Sequence, residues 1–337
     1  MQHFDIVIVG AGLHGLAIAR TLVDASSVTP QRLIIVDEAR SIGGTWAAER
    51  LYAGLKTNNV VGSYEFSDFP MDLERYGLEP GQHIPGLVVH RYLTDFARHF
   101  GLDKLFRPQT RVEVAFLQAD GTWELDFKCS SEDAPQAMKL TCAKLVIATG
   151  LTSDAHMPTF PGSSDFLGPL FHAKDLHKRL QDLGGCEEVV VVGGNKSAWD
   201  VCYSVATAGA RAHMVIRRSG GGPSWVWRPI YLFGVKFTLA RLSSTRFFSW
   251  FDPSPFGSSF SWVRRFLHGT ILGAWLVWAF WTALDFFAAA TGYGDPRLMM
   301  LRPWTSTFWM GNSLSIHNYE TDWFDFKRRY TSQMAAS

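Results

Sequence analysis

Residues 4–15 read FDIVIVGAGLHG, and residues 189–198 read VVVVGGNKSA. In the first, an apolar run passes into Gly10, Gly12 and Gly15, the G-x-G-x-x-G spacing, and then into a helical stretch over Leu13–Asp24. A buried parallel strand followed by such a loop aims backbone N–H groups at a pyrophosphate from a helix N-terminus. The next apolar strand, Leu33–Val36, ends in Asp37 and Glu38, and Asp37 falls 22 residues after Gly15. That is where this fold places a ribose-binding acid. A carboxylate there accepts from ribose hydroxyls and repels a 2′-phosphate, so the site suits FAD or NAD over NADP.

The second segment sets Gly193 and Gly194 before Lys196, Ser197 and Ala198, with Asn195 in place of the middle glycine. The side chain at 195 keeps a pyrophosphate further from the backbone, and Lys196 offers charge in compensation. A strand over 212–216 then runs into Arg217 and Arg218, where a 2′-phosphate would lie, which favours NADPH over NADH. Taken alone, this segment has a second, lesser reading as a degenerate nucleotide-binding half with solvated arginines.

Between the loops, Arg91–Phe100 has helical periodicity, and Arg111–Phe116 with Thr122–Phe127 alternates as a hairpin. A buried strand, Lys144–Ile147, leads into Ala148, Thr149 and Gly150, and the Pro/Gly/Ser-rich stretch Met157–Pro169 reads as a linker. The resulting fold class is α/β, with two Rossmann-like dinucleotide-binding domains and an aromatic-rich helical C-terminal region. Boundaries follow at 1–155, 156–220 and 221–337.

Composition narrows the function. Of 337 residues 19% are charged, and 32 Lys+Arg nearly balance 31 Asp+Glu, so no field or basic run points to nucleic acid. Cys129, Cys142, Cys186 and Cys202 have neither C-x-x-C nor metal-ligand spacing and read as thiols of a reducing compartment. With the first strand starting at Phe4, a signal peptide has no room, and a cytoplasmic location is expected. Ten of the 13 tryptophans follow residue 220. Gly269–Leu284 runs uncharged for 16 residues, short of the ~20 a span requires, and reads as a buried or interfacial helix rather than a membrane crossing.

Further motifs carry a family resemblance. Gly43-Gly44-Thr45-Trp46, Thr57-Asn58-Asn59, Phe66-Ser67-Asp68-Phe69-Pro70, Ala148-Thr149-Gly150 and above all Phe166-x-Gly168-x-x-x-His172 resemble the class B flavoprotein monooxygenases. These comprise the flavin-containing monooxygenases and their Baeyer–Villiger relatives. The segments GLKTNN, SDFPMD and PGQHIPG are most similar to the fungal branch of secondary metabolism.

The resemblance implies FAD at the first loop, NADPH at the second, and oxygen transfer from O₂ to a small lipophilic metabolite through a flavin C4a-hydroperoxide. It implies FAD contacts from Asp37, Glu38, Gly44, Thr45, Trp46, Asn59, Ala148, Thr149 and Gly150, and from the Val112 backbone at the adenine. It makes Asn58 and His172 the catalytic candidates: Asn58 beside the flavin oxygen, His172 as a switch in the linker between domains. On residue type alone, Asn58 is also a loop cap and His172 a turn histidine. No metal site, Ser-His-Asp set or carboxylate pair stands out, which suits chemistry carried by a cofactor.

Leu176 departs from the family signature, and relatives continue past Ser313–Ile316 with strands that close the flavin side. That leaves a second reading, a nucleotide-binding or accessory protein without turnover, or one completed by another chain. A flavin reductase shares both loops but usually adds a redox-active cysteine pair.

Overall fold

The computed structural model describes residues 2–24, 32–62, 64–80, 82–129, 136–150, 154–194, 196–216, 230–232, 235–237, 245–251 and 261–291. In chain order the elements are β1 (Gln2–Val9), α1 (Leu13–Asp24), β2 (Leu33–Val36), β3 (Lys56–Val60), α2 (Leu73–Tyr76), β4 (His83–Pro85) and α3 (Gly86–His99). Next come β5 (Phe106–Arg107), β6 (Thr110–Leu117), β7 (Trp123–Cys129), β8 (Gln136–Ile147) and α4 (Leu176–Arg179). The remainder are β9 (Glu188–Val192), α5 (Lys196–Thr207), β10 (Arg211–Val215), β11 (Ile230–Leu232), β12 (Val235–Phe237), α6 (Arg246–Trp250), α7 (Trp262–Gly269) and α8 (Ile271–Thr291). They form two units. One holds Met1–Leu55, Ser67–Gly77 and Pro85–Gly184, and the other holds Lys56–Phe66, Leu78–Ile84 and Gly185–Ser337.

The first unit is built on a six-stranded sheet in the order β5-β2-β1-β8-β7-β6. β5, β2, β1 and β8 run parallel, and β7 and β6 return antiparallel as a meander. All four β2 residues are buried, as expected of a parallel strand covered on both faces. α3 buries Val89, Tyr92, Leu93, Phe96 and Ala97, one stripe at helical spacing. The Phe69 ring packs against Tyr92, Phe96, His99 and Phe100, and the Tyr92 hydroxyl donates to the Phe69 carbonyl at 2.6 Å. The SDFP segment is thereby pinned to α3.

In the second unit β9 and β10 pair in parallel, with Val192 opposite Val215. α5 contributes Ala198, Trp199, Val201, Cys202 and Val205 to the core, together with Val191 and Met214.

The structure differs from the sequence reading in three places. Lys144–Ile147 is only the end of a twelve-residue strand, because β8 serves as both the last meander strand and a parallel neighbour of β1. Residues 156–184 group with the first unit, since the second begins its own strand only at Glu188. Within 221–337, expected to be helical, β11 and β12 form a short antiparallel hairpin.

All four cysteines are free, with Cys142 and Cys202 buried. Burial disfavours the thiolate, raising the Cys142 thiol and pushing Cys202 up to about 12. At pH 8 a disulfide reagent is therefore expected to label Cys129 and Cys186 quickly. Cys142 and Cys202 should react only after denaturation, and rapid native labelling of all four would contradict this packing.

Candidate functional site

Where β1 meets α1, the backbone passes so close to its neighbours that side chains are excluded. Gly10 has φ +113°, and a Cβ there would lie 2.3 Å from the Ala148 carbonyl oxygen. One on Gly15 would lie 1.9 Å from the Gly10 oxygen. The Gly10 N–H donates to the Val36 carbonyl at 2.8 Å, and the Ala148 N–H to the Val9 carbonyl, also at 2.8 Å. The loop is thus fastened to β2 on one side and to the Ala148-Thr149-Gly150 turn on the other. The first intrahelical bond of α1 runs from Leu16 N–H to the Gly12 carbonyl, 3.0 Å. The N–H groups of Leu13, His14 and Gly15 consequently have no partner four residues back, the arrangement that receives an anion.

A second turn closes over this loop. Gly43 (φ +135°) donates its N–H to the Ala11 carbonyl at 3.0 Å, and a Cβ on Gly44 would sit 2.9 Å from Gly12 Cα. The reverse does not hold. A Cβ on Gly12 has nothing nearer than Gly44 Cα at 3.6 Å, ordinary contact. The fold therefore leaves room for a side chain at Gly12, whereas at Gly10, Gly15 and Gly44 it does not. Such a cradle, with free amides and no side chain between two glycines, fits a dinucleotide pyrophosphate.

In the structure Asp37 has a bracing task that the sequence did not show. Its Oδ2 accepts the Ala11 N–H at 2.7 Å and its Oδ1 the Ala39 N–H at 2.9 Å. Each oxygen keeps a lone pair for a ribose hydroxyl while the carboxylate braces the glycine loop. Glu38 lies between two guanidiniums, Arg50 at 3.2 Å and Arg111 at 3.3 Å. The turn before β6 is tied to the same edge by Thr110 N–H to Asp37 carbonyl, 2.8 Å, and by Gln109 N–H to Ala39 carbonyl, 2.9 Å. Val112 follows at a register break in the β6–β7 ladder, which continues at Val114.

Sequence reasoning missed the parts that hold the Gly44-Thr45-Trp46 turn. Glu49 accepts from the Ser41 hydroxyl at 2.7 Å and from the Arg40 N–H at 2.5 Å, and Ser41 Oγ accepts the Ala48 N–H at 2.8 Å. Partial burial alone would raise the Glu49 carboxyl, but these donors outweigh it and hold the group below its ordinary 4.5. Arg50 donates to the Gly44 carbonyl at 3.0 Å, and His90 Nδ1 to the Trp46 carbonyl at 3.1 Å. None of these residues belongs to a motif, and only the contact pattern reveals them.

His172, in the first unit, caps a single 3₁₀ turn over Ala173–Asp175: its Nδ1 accepts the Lys174 N–H at 3.1 Å. Just before it, the Phe166 ring folds over Gly168, where a Cβ would lie 2.8 Å from the ring edge. Leu176, the departure from the signature, is buried at 1% exposure.

Asn58 and Asn59 lie on β3 of the second unit. Beside them the buried Thr57 accepts on its carbonyl from His83 Nδ1 at 2.9 Å and on its hydroxyl from the Ile84 N–H at 3.0 Å. Also in the second unit, Gly193 (φ +146°) donates its N–H to the Val215 carbonyl at 2.9 Å, as Gly10 does to Val36. Gly194 follows, and Ser197 stands in the first turn of α5. Lys196 is held by the buried Asp200 at 2.5 Å, one turn along the helix. Asn195, Arg217 and Arg218 lie outside the described residues.

Two glycine loops, each locked to the next parallel strand, define an α/β protein of the two-dinucleotide-domain class. The family model for flavin-binding monooxygenase-like proteins matches residues 4–260, and the chain belongs to that family. It is 37% identical to an FAD-dependent monooxygenase of Pyrenophora dematioidea over 96% of this chain and 60% of that relative. Identity to the FAD-dependent monooxygenase resA of Aspergillus sclerotiorum is 34%, over 95% of this chain and 56% of the relative. The chain thus spans somewhat more than half the length of these relatives. Among solved structures, the polycyclic ketone monooxygenase of Thermothelomyces thermophila shares the fold with TM-score 0.54 and 22% identity, over 72% of this chain and 38% of that one. Cyclohexanone monooxygenase of Rhodococcus sp. Phi1 bound to NADP+ does so with TM-score 0.51 and 22% identity, over 74% and 44%.

The two kinds of glycine predict opposite outcomes. Gly15→Ala should cost about 2 kcal/mol or more in chemical denaturation, because backbone must move to admit the methyl group. Gly12→Ala should leave stability within about 1 kcal/mol of the parent yet weaken flavin retention at least about tenfold. Equal destabilisation by both would refute the distinction. Glu49, lowered in the folded state, stabilises above its unfolded value of 4.5 and loses that contribution as pH falls through its folded value. Glu49→Gln should flatten the acid limb of the stability–pH curve below about pH 5. An unchanged limb would show that Glu49 does not brace the turn.

Proposed function

We propose that the chain supplies the FAD and NADPH sites of a monooxygenase that places one oxygen atom from O₂ on a small lipophilic metabolite. The observation that carries this reading is the repeated lock: strand, positive-φ glycine, N–H to the end of the next parallel strand, at Gly10 and again at Gly193. Membership of the flavin-binding monooxygenase-like family supports it, as do the names of the fungal relatives.

Bound FAD would supply the redox chemistry, taking a hydride from NADPH and activating O₂. The protein's tasks are binding, orientation and exclusion of water. The amides of Gly12, Leu13 and His14 receive the pyrophosphate, Asp37 the ribose, and the Gly44-Thr45-Trp46 turn lies along the bound nucleotide. Ala148, Thr149 and Gly150 complete that cradle, and the Val112 backbone meets the adenine. Asn58, on the strand clasped by Thr57 and His83, is assigned to hydrogen-bonding the oxygen being transferred. Asn59 is assigned to the same nucleotide. His172 acts as a positioning residue through the turn it caps. At the second site Gly193, Gly194, Lys196 and Ser197 receive the nicotinamide nucleotide, with Arg217 and Arg218 on its 2′-phosphate.

Purified protein should carry a yellow chromophore that NADPH bleaches under anaerobic conditions, and lipophilic ketones or sulfides should accelerate NADPH oxidation in air. Arg217→Ala should raise the KM for NADPH about tenfold or more and leave that for NADH nearly unchanged. Equal losses with both nucleotides would overturn the 2′-phosphate assignment. Protein without flavin, or flavin that NADPH does not bleach, would overturn the function and leave a nucleotide-binding role.

A further inference from the structure

We propose that the elbow between α7 and α8 is a docking surface for an anionic phospholipid bilayer. α7 and the first part of α8 meet at 90°, and no described helix is by itself long and apolar enough to cross a membrane. The bend is built in. Thr270 Oγ accepts the Gly273 N–H at 3.0 Å, capping α8, and donates to the Phe266 carbonyl at 2.8 Å. Gly273 presses so closely on α7 that a Cβ would lie 2.1 Å from the Phe266 oxygen.

Among the described residues, what the bend presents is apolar and exposed. Ile271 is 93% exposed, Trp262 76%, Leu272 59% and Trp275 58%. Further along, α8 is anchored: Phe280 stacks on Phe251 at 4.1 Å, and Trp281 Nε1 donates to the Phe251 carbonyl at 2.9 Å. From its sequence this helix reads as buried or interfacial. The burial half of that reading fails at the tip, because only Gly273 among residues 271–276 is buried.

Two observations choose a bilayer over a protein partner. Ile271, Leu272, Ala274, Trp275 and Leu276 are exposed almost in succession, so apolar surface takes up more than half of the helix circumference at the tip, all but the side where Gly273 meets α7. A protein partner covers one stripe of a helix, whereas a fluid apolar medium surrounds it. Charge agrees: no Asp or Glu occurs from Pro253 through Leu284, while Arg264, Arg265 and His268 do. Arg265 is exposed, and the Arg264 guanidinium donates to the Ser249 carbonyl at the base of the elbow. Eight residues of α8 from Ile271 span about 12 Å. That suits insertion of the tip to about 5–10 Å with arginines at headgroup level and tryptophans between the two media.

The inference is independent of the nucleotide sites. Purified full chain is mixed with vesicles of phosphatidylcholine, or of phosphatidylcholine with about 30% phosphatidylserine, and floated on a density gradient. The chain should float with the anionic vesicles and bind neutral ones about tenfold more weakly. Ile271→Asp with Leu272→Asp should lower partitioning at least about tenfold, and Arg265→Glu should remove the preference for phosphatidylserine. Circular dichroism confirms that each variant is folded. Failure to float with either vesicle would overturn the proposal, as would undiminished binding by the folded double variant. So would self-association in the ultracentrifuge that the double variant abolishes without any lipid binding, since the occupant would then be a second copy.

Discussion

The contact of Gly10 with the Ala148 backbone, and of Gly15 with the Gly10 backbone, is the constraint on which the first unit depends. Three chain segments, the end of β1, the first turn of α1 and the turn after β8, approach to distances that no Cβ permits. That approach sets α1 directly on the sheet and aims its N-terminus at the end of the strands. Everything added later reinforces the same point. Val36 receives the Gly10 N–H, Asp37 the Ala11 N–H, and Ala11 in turn receives the Gly43 N–H. Isolated hydrogen bonds contribute about 1 kcal/mol each. Their importance here is geometric, because together they leave the cradle a single shape.

The second unit repeats the lock with less support. Gly193 bonds Val215 as Gly10 bonds Val36, but among the described residues a Cβ on Gly193 would meet only Ala198 Cβ, at 3.4 Å. Lys196 is engaged along its own helix with Asp200, a pair that is costly to leave unmade because the carboxylate is buried. A charge so held is largely offset by its partner and is not free to wrap around a ligand.

The sequence revealed most where the backbone itself dictates residue type. Glycines at positive φ, the all-apolar β2 and the helical stripe of α3 are imposed by local geometry, and each was legible. Asp37 stands at the end of β2 as read, but its bracing of the glycine loop was not legible, since the bond to Ala11 joins residues 26 apart in the chain. Glu49, Ser41, His90, Thr57 and His83 could not be read at all. Each holds a turn or strand through ordinary polar groups with no fixed spacing, and such bonds exist only once the chain has folded. The Gly269–Leu284 segment stayed open between buried and interfacial for the opposite reason: uniform apolarity shows that water is disfavoured without saying what replaces it.

The contrast between the two loops bears on how two nucleotides divide their roles on the reading proposed above. Binding is weakened by whatever must be ordered at the moment of contact. Around Gly10 almost nothing is left to order: both carboxylate oxygens of Asp37 are seated, Glu38 rests between Arg50 and Arg111, and the Gly43–Gly44 turn is bolted to Ala11 and Arg50. A nucleotide there gains its contacts at little cost and is retained. Among the described residues, one backbone bond and a two-stranded sheet fix the loop at Gly193, so on that reading its nucleotide would organise more of its surroundings on binding. A retained redox group and an exchangeable reductant call for such a difference between their two sites.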